Sequence, residues 1–271
     1  MIDWDDAFEN SAYVAGSAEF PKLWAQEADQ FRQSHGKKTL DIAYGDHPRQ
    51  VLDVFEPDGP AQGTVVFIHG GYWRLFDKSY WSHLAQGCLA HGWRVVIPSY
   101  RLAPEARISN IVQDVTKAII QCANTFSGPL RLTGHSAGGH LVARMAAGTS
   151  PLPNEVYNRV ENVVPISGVY HLTPLCGIKM NETLQLSEQE AREQSPVFLP
   201  VGTRPMHLWV GASERPEFLR QTRMFAEHSI RSGLTVPETY DHGMNHFSVV
   251  LGLKNHKAEL VYTLLGLKNN K

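Results

Sequence analysis

A serine set between glycines, Gly134-His135-Ser136-Ala137-Gly138, is the first place in this chain where residue types and spacing suggest chemistry. It follows a short apolar run, Leu130–Thr133, and opens a stretch with helical spacing, Gly139–Ala147. A serine hydroxyl is a poor nucleophile until a base stands beside it and the backbone presents it. G-x-S-x-G at a strand-to-helix corner supplies the presentation. The glycines keep Cβ atoms out of a tight turn, and the helix start favours developing negative charge. Ser136 is therefore the candidate nucleophile for attack on a carbonyl.

Such an attack produces an oxyanion, which needs backbone N–H groups aimed at one point. His69-Gly70-Gly71-Tyr72-Trp73 ends a second apolar run, Thr64–Ile68. Two adjacent glycines there let amides turn inward without a side chain in the way. Gly70, Gly71 and the amide of Ala137 are the expected donors, with Tyr72 as a substitute. His69 and His135 flank these glycines and read as positioning residues. Tyr72, Trp73 and His135 are also candidates to line a substrate pocket. The aromatic group Tyr72, Trp73, Phe76, Tyr80 and Trp81 reads equally well as core or as pocket wall.

A base and an acid must complete the set. The chain has 13 histidines, so position has to choose among them. Where a G-x-S-x-G corner leads, the acid and then the histidine follow in chain order. His246, in Asp241-His242-Gly243-Met244-Asn245-His246-Phe247, is preferred over His242 because it opens onto Phe247 and the closing helix. Glu214 stands at the turn after Leu208–Gly211 and is the expected acid, with Glu217 and Asp241 as competitors. A carboxylate there can hold the imidazole in one tautomer. The expected catalytic set is Ser136, Glu214 and His246.

These groups need a scaffold that brings distant segments together. Strand-like runs occur at Thr39–Tyr44, Gln50–Phe55, Thr64–Ile68, Arg94–Pro98, Leu130–Thr133, Val163–Ser167, Met206–Gly211 and Thr235–Tyr240. Helical spacing falls between most of them, at Ser79–His91, Ile108–Thr125, Gly139–Ala147 and Glu217–Ser232. That alternation predicts a mostly parallel central sheet of about eight strands with helices on both faces. With the nucleophile corner in place, the fold to expect is the α/β-hydrolase fold. A single domain over 1–271 is expected. Residues 1–38 form an N-terminal helical extension, helical from about Pro21 to Gln33. Residues 171–200 break the rhythm and read as an insertion near the site, with a short helical piece at Leu186–Gln194.

Composition narrows the partners. Lys and Arg number 25 against 27 Asp and Glu, a net charge of -2, which gives no electrostatic reason to expect nucleic acid. No run approaches a membrane span, and the acidic start Met1–Asp6 lacks the features of a secretory signal. The three cysteines are far apart, which suits a reducing compartment, and a cytoplasmic location is the expectation. No His, Asp and Glu cluster has metal-ligand spacing, so neither metal nor cofactor is expected. The expected partner is a small molecule with a carbonyl that Ser136 can attack. The sequence does not set the oligomeric state and leaves a homodimer open.

His69-Gly70-Gly71-Tyr72-Trp73, Gly134-His135-Ser136-Ala137-Gly138-Gly139 and Tyr100-Arg101-Leu102-Ala103-Pro104-Glu105 together resemble the hormone-sensitive-lipase-like esterases. H-G-G-Y-W and Pro216-Glu217-Phe218-Leu219-Arg220-Gln221 are more similar to the kynurenine formamidase (arylformamidase) branch than to H-G-G-G esterases. The likeness runs from about residue 39 onward. It implies a serine hydrolase for small carboxylic esters or aryl formamides, acting through Ser136, Glu214 and His246. Two residues depart from the pattern. Ser99 stands where the esterases often have Asp, and Glu214 where the formamidase branch usually has Asp. Thioesterase and lactonase chemistry would use the same residues. A non-catalytic ligand-binding module is the rival from another class, since a fold does not fix a function.

Overall fold

The computed structural model describes residues 2–268. Its eight strands are β1 Lys38–Ala43, β2 Val51–Phe55, β3 Thr64–Ile68, β4 Arg94–Pro98, β5 Leu130–His135, β6 Val160–Ile166, β7 Leu208–Gly211 and β8 Glu238–Asp241. They form one sheet in the order β1-β2-β4-β3-β5-β6-β7-β8. β2 runs antiparallel to both β1 and β4. Every other pairing is parallel.

The period-two alternation of strand side chains builds the two sides of the core. Val66 and Ile68 of β3, Val96 of β4 and Leu132 of β5 face one way. They meet Ile111, Val115 and Ile119 of the helix Ile108–Thr125, and Leu141, Val142 and Met145 of the helix Ala137–Ala146. Val65, Phe67, Val95 and Ile97 face the other way, against Leu84, Cys88, Leu260 and Leu264. The helix Phe20–Ser34 joins this second side through Trp24 and Phe31, with Pro21 in its first turn. Because both faces are covered, β3 is buried throughout, as its continuous apolar run requires.

Most elements shift by one to three residues from their expected bounds, and three differences have a clear shape. The stretch 79–91 is not one helix but two 3₁₀ turns, Lys78–Tyr80 and Ser82–Ala85, and a helical turn, Gln86–Leu89. The backbone leaves helical angles at Trp81 (φ −124°, ψ 1°), which turns the indole into the core. There Trp81 meets Trp24 at 4.7 Å and Phe67 at 6.1 Å between ring centres. The last strand begins at Glu238 rather than at Thr235. Pro237 has no N–H for a ladder; its carbonyl instead accepts from Leu208 N. β7 begins at Leu208, and Met206 contributes only an isolated bridge to Val163.

The segment 171–200 contains the turns Thr173–Gly177, Asn181–Leu184 and Pro196–Phe198, and the short helix Glu188–Gln194. Leu172, Leu175, Leu184 and Ala191 pack it onto the first side of the core. Glu190 fastens it to the start of the helix Ile108–Thr125, accepting from Ser109 N and from the Arg107 guanidinium, each at 2.9 Å.

The N-terminal helix is part of the core by this packing. Replacing Trp24, 2% exposed, by Ala should cost about 3–5 kcal/mol, as deletion of a buried aromatic ring does. A lowered urea midpoint would show this. A loss under about 1 kcal/mol, the size of an ordinary surface change, would mean that the helix does not share the core's stability.

Candidate active site

β5 carries the chain into a corner at Ser136, where φ is 55° and ψ −116°. A serine in this conformation is strained, and the surroundings hold it there. Ser136 N donates to the Ile166 carbonyl of β6 at 2.8 Å, and its own carbonyl accepts from His140 N at 3.1 Å. The glycines have measurable reasons. A Cβ on Gly138 would lie 1.9 Å from the Ile68 carbonyl oxygen of β3. A Cβ on Gly134 would lie 2.4 Å from the Gly138 oxygen, and one on Gly139 would lie 2.9 Å from the Ile166 oxygen.

The turn after β3 stands directly beside this corner. A Cβ on Gly70 would meet Ser136 Cβ at 3.1 Å. Gly71, Tyr72 and Trp73 then follow with φ of 111°, 48° and 56°, three left-handed residues in a row. His69 fixes the peptides before them. Its ring stacks on Tyr100 at 4.2 Å, and the Tyr100 hydroxyl donates to its carbonyl at 2.8 Å. Burial pushes the His69 imidazole down to about 4, so it is neutral near pH 7. A neutral ring with Nδ1 protonated donates to the Gly70 carbonyl at 2.8 Å. Carbonyl and N–H of one trans peptide point in opposite directions, so this bond orients the Gly71 N–H as well. Among the described residues, the amides of Gly70, Gly71, Tyr72 and Ala137 donate to no protein acceptor.

The acid turn follows β7. Glu214 N donates to Gly211 O, Ser213 N to Met244 O and Ala212 N to Asp241 O, which ties the turn to the end of β8. One Glu214 oxygen accepts from Gly211 N at 2.9 Å and from the Ser167 hydroxyl. The other is 2.6 Å from His246 Nδ1. Nδ1–H therefore donates to the carboxylate, which in a neutral ring puts the lone pair on Nε2. Both side chains are buried. Phe218 lies 4.3 Å from the His246 ring and His135 4.7 Å from it. His135 is held well below its ordinary value, first by burial and then by the neighbouring His246, while the His246 backbone carbonyl beside it opposes the shift.

Ser136, His135, His246 and Tyr72 all line one cavity of about 390 Å³. No hydrogen bond joins the Ser136 hydroxyl to His246 here; such contacts commonly tighten only with substrate present. Phe8, Trp24, Phe76, Trp81 and Phe247 give the cavity aromatic walls, and Met180 comes from the segment 171–200. The N-terminal residues Phe8 to Ser11, Ser17 and Ala18 close one side of it.

Most of the residues expected from the sequence meet at this cavity, with one correction. Trp73 is not a pocket residue. The left-handed turn drives its ring into the core, fully buried and edge-on to His140 at 5.2 Å. The competing acids are engaged elsewhere. Glu217 binds Arg220 and Gln221, and Asp241 accepts from the Trp209 indole. His242 is exposed. Ser167 was not singled out by its sequence; only its place at the end of β6 could have pointed to it. The reach of the N-terminal segment over the cavity had no signal beyond its polar and aromatic character. Among the described residues, no group of three or more His, Cys, Asp or Glu is placed to hold a metal ion. No described helix is long and apolar enough to cross a membrane.

The family model for the α/β-hydrolase fold matches residues 65–246. The chain belongs to this family. Kynurenine formamidase of Danio rerio is 29% identical over 236 residues, covering 83% of this α/β-hydrolase and 80% of the relative. An isoprenylcysteine α-carbonyl methylesterase of Arabidopsis thaliana is 32% identical over 178 residues, 59% of this chain and 42% of that one. Among solved structures, a proposed thioesterase of Silicibacter sp. TM1040 is 41% identical with a TM-score of 0.93, covering 98% of this chain and all of the other. An esterase of Pyrobaculum calidifontis, at 19% identity and a TM-score of 0.69 over 92% of this chain and 90% of the other, shares the fold. The chain is thus a hydrolase of the α/β-hydrolase family.

Two outcomes follow from this geometry. Gly138→Ala should be destabilised by roughly 2 kcal/mol or more, because backbone rather than a flexible side chain blocks the added methyl. Thermal unfolding checks this, and an unchanged midpoint would contradict the contact. The second concerns pH. Burial holds His69 at about 4 and His140 at about 3, against 6.5 ordinarily. As pH falls through 6.5 the unfolded chain takes up protons that the folded rings refuse, so stability falls from pH 6.5 toward about 3. The denaturant midpoint should be lower at pH 4.5 than at pH 7.5. Equal midpoints would mean that these rings accept protons inside the fold.

Proposed function

We propose that this hydrolase is a serine enzyme that cleaves aryl formamides or small carboxylic esters through an acyl-enzyme. The observation that carries the reading is the convergence of a strained serine and a carboxylate-bound imidazole on one aromatic-walled cavity. In this reading His246 Nε2 takes the Ser136 proton as the oxygen attacks the carbonyl carbon. Glu214 keeps the ring in the tautomer that can do so and balances the imidazolium that forms. The amide of Ala137, with those of Gly70, Gly71 and Tyr72, receives the oxyanion. The imidazolium then gives its proton to the leaving amine or alcohol. Water, activated by the same ring, releases the acid and restores the hydroxyl.

Aromatic walls favour a planar ring on the substrate, and a cavity of this size accommodates a one-ring molecule. The kynurenine formamidase relatives support the aryl formamide. The proposed thioesterase with the same fold at 41% identity keeps a thioester as the second reading. Three free cysteines, two of them buried, accord with a cytoplasmic setting.

A fluorophosphonate probe should label Ser136 in the unmodified protein and fail in Ser136→Ala. N-formylkynurenine, p-nitrophenyl esters and an acyl thioester should then be hydrolysed in that order of kcat/KM. Glu214→Gln should lower kcat by roughly 10³–10⁴-fold, as loss of the tautomer-holding carboxylate does in serine proteases. Ser136→Ala with full activity on these substrates would refute the reading, and a thioester preference would move it to the second.

A further inference from the structure

Arg74 lies at the junction of the catalytic cavity and a neighbouring groove and lines both. Its backbone is fixed by the oxyanion turn, since Arg74 N donates to the Gly71 carbonyl at 3.0 Å. Among the described residues its guanidinium makes no hydrogen bond or ion pair to a protein acceptor. Nε is shielded from solvent and meets no acceptor. Among the described residues, the other arginines that are at least half-buried each hold a carboxylate, carbonyl or amide oxygen. Arg49 binds Tyr100 O, Arg101 binds Asp114 and Arg159 binds Gly128 O, for example.

Acids nearby do not satisfy Arg74. Glu9 lines the same cavity, but one of its oxygens is taken by Ser11 N at 2.6 Å and Ala12 N at 3.3 Å. In the adjoining groove, Asp5 accepts from Lys179 N and Asp6 pairs with Arg215. A half-buried guanidinium on a cavity wall with no protein acceptor keeps its donors free, and the arrangement is explained if an anion arrives with the ligand.

We propose that Arg74 receives a carboxylate carried by the substrate, away from the bond that is cleaved. The planar fork of five donors fits a carboxylate with two parallel hydrogen bonds, which a lysine cannot reproduce. Because its main chain belongs to the oxyanion turn, the anchor and the oxyanion donors keep a constant spacing. Arg74 therefore selects among substrates by the distance between their carboxylate and their scissile carbonyl. This rests on the serine-hydrolase reading of the same cavity.

The test uses matched pairs of formanilides and of phenyl acetates whose ring substituent ends in either a carboxylate or its carboxamide. The unmodified enzyme should prefer the carboxylate of each pair by roughly 10–100-fold in kcat/KM, chiefly through KM. That range corresponds to one charged hydrogen-bonded anchor. Arg74→Gln should bring the ratio close to one, and Arg74→Lys should keep part of it. Fluorophosphonate labelling of Ser136 is measured alongside. A labelled enzyme that treats both members of a pair alike, that turns over neither, or whose preference survives Arg74→Gln overturns the role of Arg74 and leaves the serine reading standing. Absence of labelling at Ser136 overturns both. Equal treatment of the two members of a pair by the unmodified enzyme overturns the role of Arg74 even if a variant does not fold.

Discussion

The close approach of two strand ends, β3 and β5, is the constraint on which the site depends. Their parallel register sets Ile68 opposite Gly134. One residue beyond Ile68 the oxyanion turn begins, and two residues beyond Gly134 stands Ser136. The Gly138 backbone then packs onto the Ile68 carbonyl so closely that no side chain fits between. Strain at Ser136 and the left-handed run 71–73 persist because this contact over-determines them. Ser136 and the amides of residues 70–72 are thus placed by backbone packing, which is stiffer than any side-chain hydrogen bond.

The other half of the site follows from sheet order. β6, β7 and β8 are neighbours, all parallel, so the chain leaves all three at the same edge. Ser167 lies past the end of β6, Glu214 past β7 and His246 past β8. Glu214, with a longer side chain than aspartate, spans the middle of this trio. Its two oxygens are divided, one held by Ser167 and Gly211 and the other left for His246. The extra methylene is accommodated because the carboxylate is gripped from the far side. His135 and Phe218 press on the imidazole and limit its rotation.

How much of this could be read in advance depended on whether a residue's role is local. G-x-S-x-G and H-G-G describe backbone geometry within a few residues, so sequence located them. Continuous apolar runs identified β3 and β4 because both faces of these strands are buried. The helix Ile108–Thr125 has the bounds its periodicity predicted. Roles set by tertiary packing were not legible. Trp73 looked like a pocket aromatic, and only the sign of three φ angles sends it inward. The expected helix at 79–91 was broken by the demand of Trp81 for a place beside Trp24. Ser167 and Arg74 are ordinary residues in sequence, and their meaning lies in which neighbours they have or lack.

The N-terminal segment shows what packing adds to a site whose chemistry lies elsewhere in the chain. Tyr72, on the oxyanion turn, donates its hydroxyl to the Phe8 carbonyl and accepts from Asn10. Arg215, next to Glu214, pairs with Asp6 and lies 3.5 Å under the Tyr13 ring. One short stretch of chain therefore braces both the oxyanion turn and the acid turn across the cavity mouth. The exposed ion pair contributes little to stability, so its effect is geometric. With this segment closing one side, the groove that shares Phe8, Glu9, Arg74 and Met180 with the cavity adjoins it there. In the proposed reading, a carboxylate held by Arg74 at that junction would set how far the substrate's carbonyl lies from Ser136, so charge and chemistry are read by one rigid turn.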